Sequence, residues 1–212
     1  MRSGFRWRQG AGEAALKGAA GTRIAWPRTL AAKRNARLHA DHLRFIHQEA
    51  RGGVLHCFVL DCSGSMMSGQ RLALAKGLLV ALFDQARVAR SEVALVCFGG
   101  TRADVRFRPA APRWWNERWI GPVGGGGGSP LFTGIETAAS LLERAARRKP
   151  NQARWLWILT DGRASVTPPK PIAAERAIFV DFEQDHSIRL SRCARIAREW
   201  SADYLVPDDL LG

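Results

Sequence analysis

The chain has 212 residues, 46% of them hydrophobic and 24% charged, which suits one globular domain with a real core, or one domain carrying a basic extension. Thirty-two Lys and Arg against 19 Asp and Glu give a net charge of +13, a field that attracts acidic proteins, nucleotides or nucleic acid without choosing among them. No apolar run in the sequence approaches the roughly 20 residues that cross a bilayer, and residues 1–50 lack the apolar middle of a signal peptide, so a cytoplasmic protein with no membrane role is the expectation.

Residues 1–50 hold ten Lys and Arg against three acids. Gly4, Gly10, Gly12, Gly18 and Gly21 interrupt any regular pattern up to Ile24, which predicts a flexible arm, and residues 29–45 form a basic helix. That helix either packs on the domain through Leu30, Leu38 and Leu43 or serves as a partner-binding arm. The globular domain is expected over residues 51–212. It opens with the apolar run VLHCFVLD from Val54, which reads as a buried parallel strand. Residues 71–89 carry Leu72, Ala75, Leu78, Leu79, Leu82 and Phe83 at helical spacing, and EVALVCF over 92–98 is a second apolar strand. Strand, helix, strand begins an α/β fold. A short third strand over 103–107 precedes a surface excursion over 109–122. A helix over 130–148, strands over 154–160 and 176–182 and a helix over 188–201 complete a doubly wound, mostly parallel sheet covered on both faces. Cys57, Cys62, Cys97 and Cys193 are widely spaced with no C-x-x-C pair, which predicts reduced core thiols.

In such sheets ligands sit at the carboxyl ends of the strands, and three turns there carry small oxygen-bearing side chains. Asp61, Ser63 and Ser65 alternate in the turn after the first strand. Ser129 follows five glycines, Gly124 to Gly128, and precedes a helix starting at Pro130. Asp161 ends the strand RWLWILT in the turn Thr160-Asp161-Gly162-Arg163. Two carboxylates and three hydroxyls are what a small hard cation takes, and Mg²⁺ fits best. Softer metals call for His or Cys clusters, which the sequence lacks.

D-x-S-x-S, a hydroxyl in a Gly-rich loop and T-D-G after a later strand together resemble the metal-ion-dependent adhesion site of the von Willebrand factor A family, in order and spacing over about residues 54–206. DCSGSM, AKG (Ala75-Lys76-Gly77), GGGGSPL, LTDGRA, VDFE and the closing ADYLVPDDL resemble the C-terminal integrin-I-like domain of the D subunit of magnesium chelatase and its cobalt-chelatase relatives. The resemblance implies Mg²⁺ held by Asp61, Ser63, Ser65, Ser129 and Asp161, completed by a partner's acidic side chain. Family members usually have Thr where Ser129 stands. The D subunit also carries an AAA+ module and an acidic, proline-rich linker, for which this chain has no room. No G-x-x-x-x-G-K-[ST] phosphate loop occurs, so the chain is expected to be a non-catalytic subunit. It would couple a separate AAA+ ATPase, of the chelatase I-subunit or MoxR type, to the large subunit of a tetrapyrrole chelatase inserting magnesium or cobalt. The alternative keeps the site and replaces the chelatase with another MoxR-assisted metalloenzyme.

Other readings of the same residues are weaker. Gly124 to Gly128 could cradle a phosphate at a helix start, but no Lys or Thr stands where nucleotide loops use them. Ser63 or Ser65 could be a nucleophile, yet G-x-S-x-G is absent and no His is suitably placed. His56 and the pair Trp155 and Trp157 read as core residues. Trp114, Trp115 and Trp119, mixed with Arg113 and Arg118, read as interface anchors or as a satellite cluster beneath a loop. Arg163 either orients an incoming carboxylate or is solvated at the rim. A basic nucleic-acid-binding protein is the remaining class, and no recognised nucleic-acid motif supports it.

Overall fold

The computed structural model describes residues 52–112, 130–164, 166–183 and 190–211, together with two short strands within residues 1–51. The chain divides into two compact units, 1–51 and 52–212. In the first, β1 (Thr22–Ile24) pairs antiparallel with β2 (Phe45–His47), Arg23 opposite Ile46. The arm therefore holds strand structure at Thr22–Ile24, and Phe45 is a strand residue and not the end of a helix. The rest of the expected basic helix, with Leu30, Leu38 and Leu43, lies outside the described residues.

In the second unit, β3 (Val54–Asp61) leads through a single helical turn α1 (Gly64–Met67) and a 3₁₀ turn (Ser68–Gln70) into α2 (Arg71–Val88). Next come β4 (Glu92–Gly99) and β5 (Arg102–Ala110). Then follow α3 (Leu131–Arg148), β6 (Ala153–Thr160), β7 (Arg176–Asp181), α4 (Arg192–Glu199), β8 (Asp203–Leu205) and α5 (Pro207–Leu211). The sheet order is β5-β4-β3-β6-β7-β8. Every pair is parallel except β4 with β5, so this is the mostly parallel, doubly wound α/β fold the alternation predicts. The chain leaves β3 toward β4 and β5 on one side and returns to β6 on the other. The point where the winding reverses therefore lies between β3 and β6, where open sheets of this kind form their ligand crevice.

Alternation along β3 sorts the core into two layers. Leu55, Cys57 and Val59 face one way and pack with Leu131, Ile135, Ala138 and Leu142 of α3 and with Cys193 and Ile196 of α4. Phe58 and Leu60 face the other way, against Ala75, Leu78, Leu79, Leu82 and Phe83 of α2. Phe58 stacks on Trp157 with ring centroids 5.8 Å apart and lies 5.3 Å from Phe83, a buried aromatic stack that adds about 0.5–1.5 kcal/mol per pair to the area term. Gly134 lets α3 approach the sheet closely, since a Cβ there would lie 2.6 Å from the Phe98 ring. All four cysteines are reduced and buried. The stretch Gly64–Val88 is long and apolar enough in composition to cross a membrane, which corrects the sequence expectation. In the fold Met66, Leu72, Ala75, Leu78, Leu79, Leu82 and Phe83 of this stretch are buried in the core, while Met67, Leu74 and Val88 are exposed.

Several elements depart from their expected bounds. The helix expected over 188–201 spans only Arg192–Glu199, because Ser191 ahead of it takes left-handed backbone at φ 49. The third strand runs over Arg102–Ala110 and not only 103–107, because Gly100 at φ +64 closes a tight hairpin from β4 and makes the pair antiparallel. The 3₁₀ turn separates α1 from α2 because Gly69 and Gln70 both take left-handed backbone, φ 61 and 62. Of the excursion expected over 109–122, residues 113–122, with Trp114, Trp115 and Trp119, lie outside the described residues, as do Gly124 to Gly128.

His56 is half-buried on β3 and its Nδ1 accepts a hydrogen bond from the Trp157 indole at 3.2 Å, so the ring is held neutral. Burial lowers its pKa from 6.5 to about 4. The unfolded chain therefore binds a proton that the folded one refuses. His56's contribution to stability is complete above pH 6.5 and is lost as pH falls from 6.5 toward 4. Urea unfolding of wild type and His56→Gln at pH 7 and pH 5 checks this: the variant should lose less stability over that interval, by about 1–2 kcal/mol. Equal losses would refute it.

Candidate functional site

Asp61 is the last residue of β3 and Thr160 the last of β6. The strands run parallel with Leu60 beside Leu159, so their carboxyl ends coincide at the reversal point. Asp61 is fully buried. One carboxylate oxygen accepts the Ser63 backbone N–H at 2.8 Å and the other the Thr160 hydroxyl at 2.6 Å. Those two donors fix the carboxylate from opposite sides. The Ser63 and Ser65 hydroxyls lie 3.1 Å apart. The Arg71 guanidinium, itself buried, donates to the Ser65 carbonyl at 2.7 Å and pins the turn from the start of α2. The Cys62 N–H donates to the Phe98 carbonyl at 2.7 Å and ties the same turn to β4.

Asp161 follows Thr160 directly and is 1% exposed. It accepts the Arg163 backbone N–H at 3.2 Å, with the Arg163 Nε 3.9 Å from its second oxygen. Gly162 stands at φ +71, and a Cβ there would lie 2.9 Å from the Cys193 sulfur of α4; only glycine suits both demands. Burial raises the Asp61 pKa above the ordinary carboxylate range, bonds from Ser63 and Thr160 pull it down, and the nearby Asp161 charge pushes it up.

The structure thus brings four of the five expected donors, Asp61, Ser63, Ser65 and Asp161, to one edge of the sheet. Ser129 lies outside the described residues. Among the described residues no group of three or more His, Cys, Asp or Glu is placed to hold a metal. A cation at this edge would rest on two carboxylates completed by hydroxyls, a donor set that suits a hard ion and no soft one. Two buried carboxylates within electrostatic reach of one another fit such a group, because a cation between them offsets both their desolvation and their repulsion.

Several residues that support the site carry little signal in the sequence. Thr160 closes the strand RWLWILT, and its hydroxyl orients Asp61 and also accepts the Gly162 N–H at 3.1 Å. The signal was a hydroxyl residue closing an otherwise apolar strand. Asp181 and Glu183 are also buried. Asp181 accepts the Tyr204 hydroxyl at 2.8 Å, and burial raises its pKa. The Glu183 carboxylate accepts the N–H groups of Leu190 and, at 2.8 Å, Ser191, which anchors the chain just before α4. This places Cys193 against Gly162.

The sequence profile of the von Willebrand factor type A domain matches residues 57–163. An uncharacterized protein of Mycobacterium tuberculosis, Rv2850c, is 30% identical over 174 residues, covering 76% of this chain and 27% of that protein. The magnesium-chelatase 60 kDa subunit of Rhodobacter capsulatus is 35% identical over 127 residues, 58% of this chain and 22% of that subunit. The chain spans about a quarter of the length of these curated relatives. Among solved structures, the SpRpn10 VWA domain superposes with a TM-score of 0.50 at 16% identity, over 74% of this chain and 93% of that one, a likeness of fold.

Proposed function

Because the chain belongs to the von Willebrand factor type A family and is related to a magnesium-chelatase subunit, we propose that it is a non-catalytic, cytoplasmic, Mg²⁺-dependent protein-binding subunit. It couples a separate AAA+ ATPase to the large subunit of a tetrapyrrole chelatase that inserts magnesium or cobalt. The observation that carries this reading is the meeting of Asp61 with Thr160 at the reversal point of the sheet, with the Ser63 and Ser65 hydroxyls in the same turn.

In this reading Asp61, Ser63, Ser65, Ser129 and Asp161 would hold Mg²⁺. When bound, Mg²⁺ would supply a coordination position for a partner's Asp or Glu. The chain's own residues do the rest. The Ser63 N–H and the Thr160 hydroxyl keep the Asp61 carboxylate in one orientation. The Arg163 N–H does the same for Asp161, and the guanidinium of Arg163, 38% exposed, stands at the rim where it favours an approaching carboxylate. Arg71 and Cys62 make the first turn rigid, so little ordering remains to be done on binding. The positive net charge speeds encounter with acidic surfaces. No phosphate-binding loop occurs within these 212 residues, in keeping with ATP hydrolysis by the partner.

Co-purification from the native cell with and without EDTA tests the proposal. An AAA+ protein and a large chelatase subunit should be retained with Mg²⁺ and lost with EDTA. Retention of both in EDTA would overturn the metal-dependent part. A MoxR-type ATPase with no chelatase subunit would move the chain to maturation of another metalloenzyme.

A further inference from the structure

Glu183 is buried just past the end of β7. A carboxylate there has lost its water and needs hydrogen-bond donors in return. Both of its donors come from the segment entering α4: the Leu190 N–H binds one oxygen and the Ser191 N–H the other, at 2.8 Å. In a capping box the N–H of the N-cap residue is taken by a Glu or Gln three residues into the helix. Here Ala194 stands at that position and cannot accept it, and the Ser191 side chain makes no capping bond of its own. Glu183, reaching over from β7, does the work of the missing cap, and its negative charge suits the N-terminal end of the α4 dipole.

The held segment is strained and leads straight to the site. Ser191 takes left-handed backbone, φ 49 and ψ 30, which a residue with a side chain keeps only where its surroundings impose it. Two residues on, Cys193 lies against the Asp161 turn: a Cβ on Gly162 would stand 2.9 Å from its sulfur, 3.2 Å from its backbone nitrogen and 3.5 Å from the Arg192 Cβ. The Cys193 thiol also donates to the Thr160 carbonyl at 3.8 Å, beside the Phe182 N–H at 3.0 Å. Thr160 passes its hydroxyl to Asp61. Contacts therefore run without a break from Glu183, through the start of α4, to the turn that carries Asp161 and to the donor that orients Asp61.

We infer that Glu183 is a positioning residue of the candidate cation site: it touches no ion, but holds the strained entry to α4 so that Cys193 fixes the Thr160–Arg163 turn and, with it, Asp161. Its effect on the ion rests on the Mg²⁺ reading above; its hold on the turn does not. A neutral amide cannot replace it, since Gln offers one acceptor oxygen and turns an NH₂ donor toward the second N–H.

Two measurements on the full chain test this. Hydrogen exchange in EDTA reads the turn with no metal present. Glu183→Gln should speed exchange in the 160–164 peptide, where the Gly162 N–H is bonded to Thr160 and the Arg163 N–H to Asp161, while peptides from α2 keep the wild-type rate. Mn²⁺ titration followed by electron paramagnetic resonance reads the site, and E183Q should weaken binding about tenfold, as loss of a group that orients metal ligands does. Ser191→Gly supplies the control. Glycine is at ease at φ 49, so S191G alone should match wild type, and E183Q/S191G, with less strain to hold, should regain most of the affinity and the slow exchange at 160–164. Unchanged exchange at 160–164 in E183Q, equal acceleration in α2, or no recovery on adding S191G would each overturn the proposal. Faster exchange with undiminished Mn²⁺ affinity would overturn its bearing on the ion. If the wild type itself binds no Mn²⁺, the metal reading fails, and the exchange result alone decides whether Glu183 sets the turn.

Discussion

Asp61→Asn should lower the affinity for Mg²⁺ by about a hundredfold or more while leaving the domain folded. The substitution keeps the size of the side chain and an oxygen for the Ser63 N–H or the Thr160 hydroxyl, so the turn keeps much of its hydrogen bonding. It removes a charge that burial and Asp161 both oppose. For that reason thermal stability without metal should be nearly unchanged or rise slightly, and only the stabilisation that Mg²⁺ confers should vanish. The sign also fixes a pH dependence. A carboxyl whose pKa is raised in the folded chain must lose its proton to hold a cation, so Mg²⁺ binding should weaken as pH falls toward that raised value. Calorimetric titration of wild type and variant at pH 7 and pH 5.5 checks both statements. An Asn variant that binds Mg²⁺ as tightly as wild type would show that the carboxylate is structural only.

The largest expected stability effect among the turns falls on Gly162. Its φ of +71 costs an L-residue about 1–2 kcal/mol. A methyl group there would also sit 2.9 Å from the Cys193 sulfur and 3.2 Å from the Cys193 backbone nitrogen, adding about 1–3 kcal/mol of overpacking. Gly162→Ala should therefore destabilise by about 2–5 kcal/mol in urea unfolding. Adding Cys193→Ala removes the sulfur contact but neither the backbone contact nor the strain, so the double variant should recover part of the loss and not all of it. Full recovery would show that backbone strain contributes nothing. The same pair should displace Asp161, because Gly162 is its neighbour and α4 is held in place through Glu183.

The framework was legible because the sheet is buried on both faces, which makes VLHCFVLD, EVALVCF and RWLWILT nearly continuous apolar runs. The helices showed their buried stripes at the right spacing. The positions of Asp61 and Asp161 at neighbouring strand ends followed from strand order alone, once β6 was placed beside β3. The length of β5 was hidden because its arginines and Pro109 do not read as strand, and only pairing with β4 carries it to Ala110. Gln70 gives no sign of a left-handed backbone, so the break before α2 could not be seen. Arg71 looks like a solvent residue at a helix start, and its burial depends on the Ser65 carbonyl six residues earlier.

We propose that oxygen donors from three separate turns hold one divalent ion at the carboxyl edge between β3 and β6. Anomalous diffraction from a crystal grown with Mn²⁺ tests it most directly, since Mn²⁺ accepts the same oxygen ligands and marks its own position. A single strong peak is expected within bonding distance of Asp161 or Asp61 and of the Ser63, Ser65 and Ser129 hydroxyls. A peak elsewhere, or none at saturating Mn²⁺, would contradict it.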